Sequence, residues 1–301
     1  MPTTPQNFSR ARAALRFTDI PTTGNVFFVS SVTGSATGGY TADAPAATIA
    51  QALALCTANK GDIIYVAPDH AESIGASGLA WNVAGVSIIG LGTGANRPTL
   101  TWHTTDAVVT ISAASMLIKN IRTVVDVDEI VSMFLVTGAN VTLDGVDFVE
   151  TASAQAIQWL KTTNAADYLT IKNCVHRQIN AAGSAQKWIE IVGADHVRIV
   201  DNSFQLVANA STSSELISGS TAVVYIEIAR NLIQFMGATI DSVINLVTGS
   251  TGIISDNRIS SGTSVATAAA ITGDGCFMFN NLWADTAAAS GLLAPTVDTD
   301  T

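Results

Sequence analysis

The chain has 301 residues, is 48% hydrophobic and only 13% charged, and sets 14 Lys and Arg against 24 Asp and Glu for a net charge of −10. That balance argues against a nucleic-acid groove, which needs a clustered basic surface. Mean hydropathy is +0.37, yet no apolar run approaches the ~20 residues of a spanning helix, so a membrane is not an expected partner either.

Residues 1–23 read as an arm. Arg10, Arg12 and Arg16 all precede the first acid, Asp19, which gives either a frayed terminus or an attachment arm that orders against a partner. The opening M-P-T-T-P-Q-N-F-S-R lacks the apolar core of a signal peptide. Cys56, Cys174 and Cys276 cannot all pair and sit in apolar patterns, so they read as buried free thiols of a protein made in a reducing cytoplasm.

Residues 24–75 form a capping region. Asn25 to Ser30 (N-V-F-F-V-S) is a strand, and the glycine-rich stretch after it is a loop. Thr48 with Gln51 three places on makes a T-x-x-Q capping box. Ile49, Leu53 and Cys56 then share one helical face, and Asn59, Lys60 and Gly61 end the helix. Asp62 to Val66 (D-I-I-Y-V) is the next strand.

D-A-P-A-A-T-I-A-Q-A-L from Asp43, followed by K-G-D-I-I-Y-V-A-P from Lys60, resembles the opening of pectate-lyase-like right-handed parallel β-helix proteins. It is especially similar to the versions found among tailed-phage virion proteins. The resemblance implies an all-β, right-handed parallel β-helix with a short N-terminal helix capping its open end. The strand after Gly61-Asp62 would begin the first coil. Asp69-His70 departs from the glycine-aromatic pair of many relatives.

Residues 76–283 carry an internal repeat that argues for the same fold independently. V-R-I-V-D-N-S-F from Val197 recurs as I-E-I-A-R-N-L-I, G-I-I-S-D-N-R-I and C-F-M-F-N-N-L-W, with looser versions before it. The eight starts fall at 86, 116, 141, 169, 197, 226, 252 and 276, spaced by 30, 25, 28, 28, 29, 26 and 24 residues. Repeats of this length mean stacked units that bury their apolar strips only against neighbours, here about eight coils.

Positions one and three of each unit are apolar and share a strand face. Position six is Asn in the last four units: Asn202, Asn231, Asn257 and Asn281. Because Asn tolerates a left-handed backbone, these four are expected to sit in that conformation at a sharp turn between two strands. Gly138, Gly193, Gly219, Gly249 and Gly273 mark the end of a later strand in five units. Residues 284–301 are left as a lid and tail.

Chemistry on such a fold usually comes from acids on neighbouring coils of a lateral face. Asp126, Asp128 and Glu129 lie in one unit and Asp147 and Glu150 in the next. Asp126 and Glu150, at similar offsets from their unit starts, are the weak catalytic pair to test, for glycoside hydrolysis or a Ca²⁺ site. The bland alternative is a set of ordinary surface acids. His70, His103, His176 and His196 are scattered without metal-ligand spacing, and most of the five tryptophans fit core or interface packing.

The expectation is therefore a structural virion protein of a tailed phage: a homotrimeric capsid-decoration or head-fibre protein touching other virion proteins, with no cofactor or metal. The competing reading is a tailspike-like polysaccharide depolymerase or glycan-binding adhesin.

Overall fold

The computed structural model describes residues 22–181, 184, 186–208, 214–237, 242–261, 271–273, 275–284 and 291–292. The arm with Arg10, Arg12 and Arg16 lies outside them, as does most of the C-terminal lid.

One repeat shows how the sequence builds a coil. Arg198–Val200 is a strand of the first sheet, Ser203–Ala208 turns into the second, and Glu215–Gly219 lies in the third. The chain then rejoins the first sheet at Ile226–Ala229, directly above Arg198–Val200 and parallel to it. The described strands form sheets of ten, eight and ten strands. Every pairing is parallel except the last, Leu282–Ala284 with Gly291–Leu292. This is the parallel β-helix that the opening and the repeat both imply, and it has three sheets.

All eight repeat starts begin or immediately precede a strand of the first sheet, so they bound seven full turns. Ile63–Val66 opens one more coil below them, in register with Ser87–Gly90, and Val26–Val29 pairs beneath it.

The interior is built of columns. Ile88, Ile118, Leu143, Ile171, Ile199, Ile228, Ile254 and Met278 stack in register along the first sheet. Val109, Phe134, Leu160, Ile189, Ile217, Ile244 and Ile271 do the same along the third. Burying each such side chain stabilises by about 1.5–3 kcal/mol, but only once the rungs above and below exist.

The turn between the first and second sheets corrects one expectation. The left-handed residue is position five, not the asparagine at six. Asn120, Asn173, Asp201, Arg230, Asp256 and Asn280 have φ of 54–59° and Gly145 has 68°, whereas Asn202, Asn231, Asn257 and Asn281 are absent from the positive-φ set. Seven successive units thus share one turn geometry.

The four asparagines instead point inward and form a buried ladder. Asn231 Nδ2 donates to the Ile199 carbonyl (2.9 Å) and to Asn257 Oδ1 (2.9 Å). Asn231 N–H donates to the same Asn257 Oδ1 at 3.0 Å. Asn202 and Asn257 repeat the pattern toward Asn231 and Asn281. In earlier coils the column is filled by Ile121, Val146 and Cys174, all buried. Asparagine is chosen here for its amide, not for its backbone freedom.

The capping helix forms but is short, Ile49–Leu53, where the spacing predicts one running to about Asn59. Leu55 and Cys56 close tighter i→i−3 bonds, and Thr57 N–H is taken by Asp62 Oδ2 at 2.7 Å, which turns the chain into the next strand. The capping box is as read: Gln51 N–H donates to Thr48 Oγ1 (3.2 Å) and Gln51 Oε1 accepts from Thr48 N–H (3.3 Å). Thr48→Ala should lower stability by about 1 kcal/mol; an unchanged urea midpoint would remove the box from the account.

His70, part of the departure from the family opening, has a local role. Ser31 N–H donates to its Nδ1 (2.9 Å), and its Nε2–H donates to Glu72 Oε2 (3.1 Å). Glu72 Oε2 also accepts from Ile49 N–H at the helix start (2.9 Å). One buried imidazole ties loop, helix and first coil together.

Candidate functional site

The proposed acid pair does not assemble. Asp126 follows a strand of the second sheet and points to solvent, its side chain 64% exposed, with His103 Nδ1 at 2.8 Å. Glu150 points into the core, its side chain 1% exposed. Its Oε1 accepts from Trp159 Nε1–H (3.1 Å) and Ala156 N–H (3.2 Å), with His176 Nε2 3.5 Å away. The wall of the solenoid separates the two carboxyls, so they cannot share a substrate or an ion.

The reason is parity. Glu150 stands two places after the inward Phe148 and therefore faces inward too. It shares a place in its unit with Val125, Gln178, Leu206 and Phe235, all buried. Asp126 is one place further round its own unit, on the opposite face.

The other acids of the patch are committed to structure. Asp128 Oδ1 accepts from the Glu129 and Gln155 N–H groups (3.0 and 3.2 Å), and Glu129 Oε1 accepts from Ser184 Oγ (2.7 Å). Asp147 is held by Arg177 Nη2 at 2.8 and 3.1 Å.

What sequence reasoning missed is a polar cluster inside the prism. His176 occupies the inward column of the second sheet, in register between Phe148 and Phe204. Its Nδ1–H donates to the Gln205 carbonyl at 3.1 Å, and its ring lies 3.7 Å from that of Trp159 between centroids. Gln178 Nε2 donates to Gln186 Oε1 (3.0 Å), and Gln186 Nε2 donates to the Ala156 carbonyl (2.7 Å). His176 has the same offset in its unit as Phe148 and Phe204, and Gln178 stands two places on, so the repeat and the strand period together mark these two positions as interior.

Burial pulls the His176 imidazole below its ordinary pKa, although Glu150 and the Gln205 carbonyl oppose the shift. The sign then follows by linkage. Below pH ~6.5 the unfolded chain takes a proton on this residue that the folded chain refuses, so the unfolded state binds more protons. Stability is lost as pH falls from ~6.5 toward the lowered folded pKa, by up to about 1.4 kcal/mol per unit. His176→Phe, matching its column neighbours, should flatten that part of the profile. Equal losses between pH 7 and 5 in parent and variant would contradict the assignment.

On the outer side of the third sheet two carboxylates are recessed among cations and amides. Glu190 Oε2 lies 2.8 Å from Lys161 Nζ and accepts from Gln158 Nε2 at 2.7 Å. Glu215 Oε1 accepts from Asn245 Nδ2 (2.6 Å), and its Oε2 lies 3.9 Å from Lys187 Nζ. Burial works against ionisation of Glu190, but Lys161 and Gln158 outweigh it and hold its carboxyl below the usual range.

None of the three cysteines is in a disulfide, and burial pushes Cys56 and Cys174 up to about 12, which leaves both as unreactive thiols. Among the described residues no three His, Cys, Asp or Glu side chains converge as a metal site.

No protein-family model and no curated protein matches the chain. Among solved structures, a rhamnogalacturonan lyase is similar at 11% identity and a TM-score of 0.46, covering 86% of this chain and 87% of that one. A GH136 lacto-N-biosidase from Eubacterium ramulus is similar at 10% identity and a TM-score of 0.26, covering 92% and 70%. At these values neither likeness carries an argument about chemistry, and the parallel β-helix stands on its own strand register.

Proposed function

We propose that this chain is a structural component of a tailed-phage virion, a homotrimeric β-helical capsid-decoration or head-fibre protein. The observation that carries the reading is the separation of Asp126 from Glu150, with Asp128, Glu129 and Asp147 bound to backbone amides, a serine and an arginine. The acids of the lateral patch serve coil geometry. The opening from Gly24 to Ile74 supplies the phage resemblance, and a stack of self-burying coils makes a stiff spacer. Protein mass spectrometry of purified source particles, with antibody labelling on the particle surface, tests the proposal. The chain should be a particle component, and particles lacking it would sink the reading.

A second reading, glycan binding or cleavage, is favoured by Glu190 and Glu215, two recessed outer acids flanked by Lys161, Lys187, Gln158 and Asn245. Release of reducing ends from bacterial polysaccharides, abolished in Glu190→Ala or Glu215→Ala, would establish it. Release unchanged in both variants would exclude this site.

A further inference from the structure

The outer faces of the solenoid change character toward the C-terminal end. On the first sheet the middle rungs pair acids with cations. Asp144 Oδ2 lies 3.6 Å from Lys119 Nζ and 3.7 Å from Lys172 Nζ. Further on, Arg198 pairs with Glu227 at 2.6 Å and Arg230 with Asp201 at 2.8 Å. Above these rungs the outward positions become Ile253, Phe277 and Phe279, the first two in direct register.

The second sheet does the same across the adjoining corner. Leu232, Arg258 and Leu282 are outward and in register, and Leu282 follows Phe279 by three residues. A groove of about 430 Å³ lined by Leu232, Leu282 and Trp283 lies against this strip. The five apolar side chains are between 42% and 78% exposed, Phe277 the most.

We infer that this C-terminal corner, centred on Phe277, Phe279 and Leu282, is the surface through which copies of this chain meet. The inference rests on the proposed homotrimeric reading and names its contact. Two features select a second copy as the occupant. Five such side chains expose roughly 500 Å² of apolar surface per copy, taking ~200 Å² for each when free. That lies in the upper part of the ~300–600 Å² of the largest patch on a typical monomer, a patch that is often functional. Joining two such faces hides about 1,000 Å², the lower bound for a specific interface. The ions of the flanking rungs are paired and so oppose a second copy little, while Arg258, outward between Leu232 and Leu282, is the charge that such a contact has to turn aside.

The test is sedimentation velocity of the full chain from 1 to 100 μM (about the range that separates weak from stable self-association), with Phe277→Glu, Leu282→Glu and the milder Phe277→Ser beside the parent. The expected result is an oligomeric parent, glutamate variants shifted to monomer with unchanged far-UV circular dichroism, and a partial shift for Phe277→Ser. If the parent is oligomeric and all three folded variants remain so, the contact lies elsewhere: the inference falls while the oligomeric reading stands. A parent that stays monomeric throughout overturns both. Should the glutamate variants fail to fold, Phe277→Ser decides, and an unshifted oligomer counts against the surface. A monomeric parent that co-sediments with lipid vesicles would assign the patch to a membrane instead and also overturn the inference.

Discussion

Replacing Asn257 with Val should lower the stability of the coils by about 3–5 kcal/mol, from two orphaned buried donors together with the acceptors that lose Asn257 Nδ2. The side chain is fully buried. Its Oδ1 accepts both Asn231 N–H (3.0 Å) and Asn231 Nδ2 (2.9 Å), and its own Nδ2 donates to the Ile228 carbonyl and to Asn281 Oδ1, both at 2.9 Å. Valine fills much of the same volume and answers none of these groups. The effect comes from unmet hydrogen bonds and not from backbone strain, because the left-handed residue of this turn is Asp256, with φ of 56°.

A companion substitution separates the two explanations. Cys174 sits in the same column one coil before the ladder, and its N–H already donates to Asn202 Oδ1 at 2.9 Å. Cys174→Asn should extend the ladder by one rung and change stability by less than about 1 kcal/mol. If Asn257→Val proves harmless by urea unfolding, the ladder contributes nothing and the column is only filler. If Cys174→Asn is as damaging as Asn257→Val, the column is not interchangeable along the prism.

Trp159→Ala is the second large effect, a loss of about 3–5 kcal/mol from the cavity, with a further penalty at Glu150. The indole is packed by Phe148 (5.3 Å between centroids), Phe204 (5.7 Å), Trp188 (6.1 Å) and His176 (3.7 Å). It also donates Nε1–H to Glu150 Oε1, so alanine leaves a buried carboxylate with one donor fewer. Trp159→Phe should recover the packing and not the hydrogen bond, and fall between parent and alanine variant. Asp126→Ala should leave unfolding unchanged within about 0.5 kcal/mol, as expected of an exposed surface side chain. An Asp126→Ala loss as large as that of Trp159→Ala would mean the acid is integrated into the fold after all.

These contrasts show which parts of the molecule the residues announce. Repeat spacing locates eight of the ten described strands of the first sheet, because a solenoid enforces one apolar strip per turn whatever its loops do. Thr48 and Gln51 fixed the helix start, since a capping box is a local contact. The helix ends before the point its spacing predicts because Asp62, five residues beyond Thr57, captures the Thr57 amide, a contact that apolar periodicity does not encode. Asn202 and its equivalents stand at the turn that the spacing predicts, but composition cannot distinguish an asparagine used for its backbone from one used for its amide. Only the position-five residues, which include Arg230 and Asp256, reveal where the strain lies.

The acid site failed for a different reason. Asp126 and Glu150 stand at offsets 10 and 9 from their unit starts at 116 and 141, and a one-residue difference looks small on that scale. On a strand it exchanges the two faces. Counting from Phe148 would have sent Glu150 inward beside His176 and left Asp126 outside. The recessed Glu190 and Glu215 carry no such signal, because their surroundings are assembled from rungs about thirty residues apart.

The claim beneath all of this is that successive V-x-I-x-x-N stretches are neighbouring rungs of one parallel β-helix, with their asparagines stacked inside it. Hydrogen exchange of the asparagine side-chain amides, followed by NMR on the full chain, tests it most directly. The account predicts that the Nδ2 protons of Asn202, Asn231 and Asn257 exchange as slowly as the backbone amides of Ile199, Ile228 and Ile254. Side-chain amides at those three positions that exchange as fast as the exposed Asn280 would contradict it.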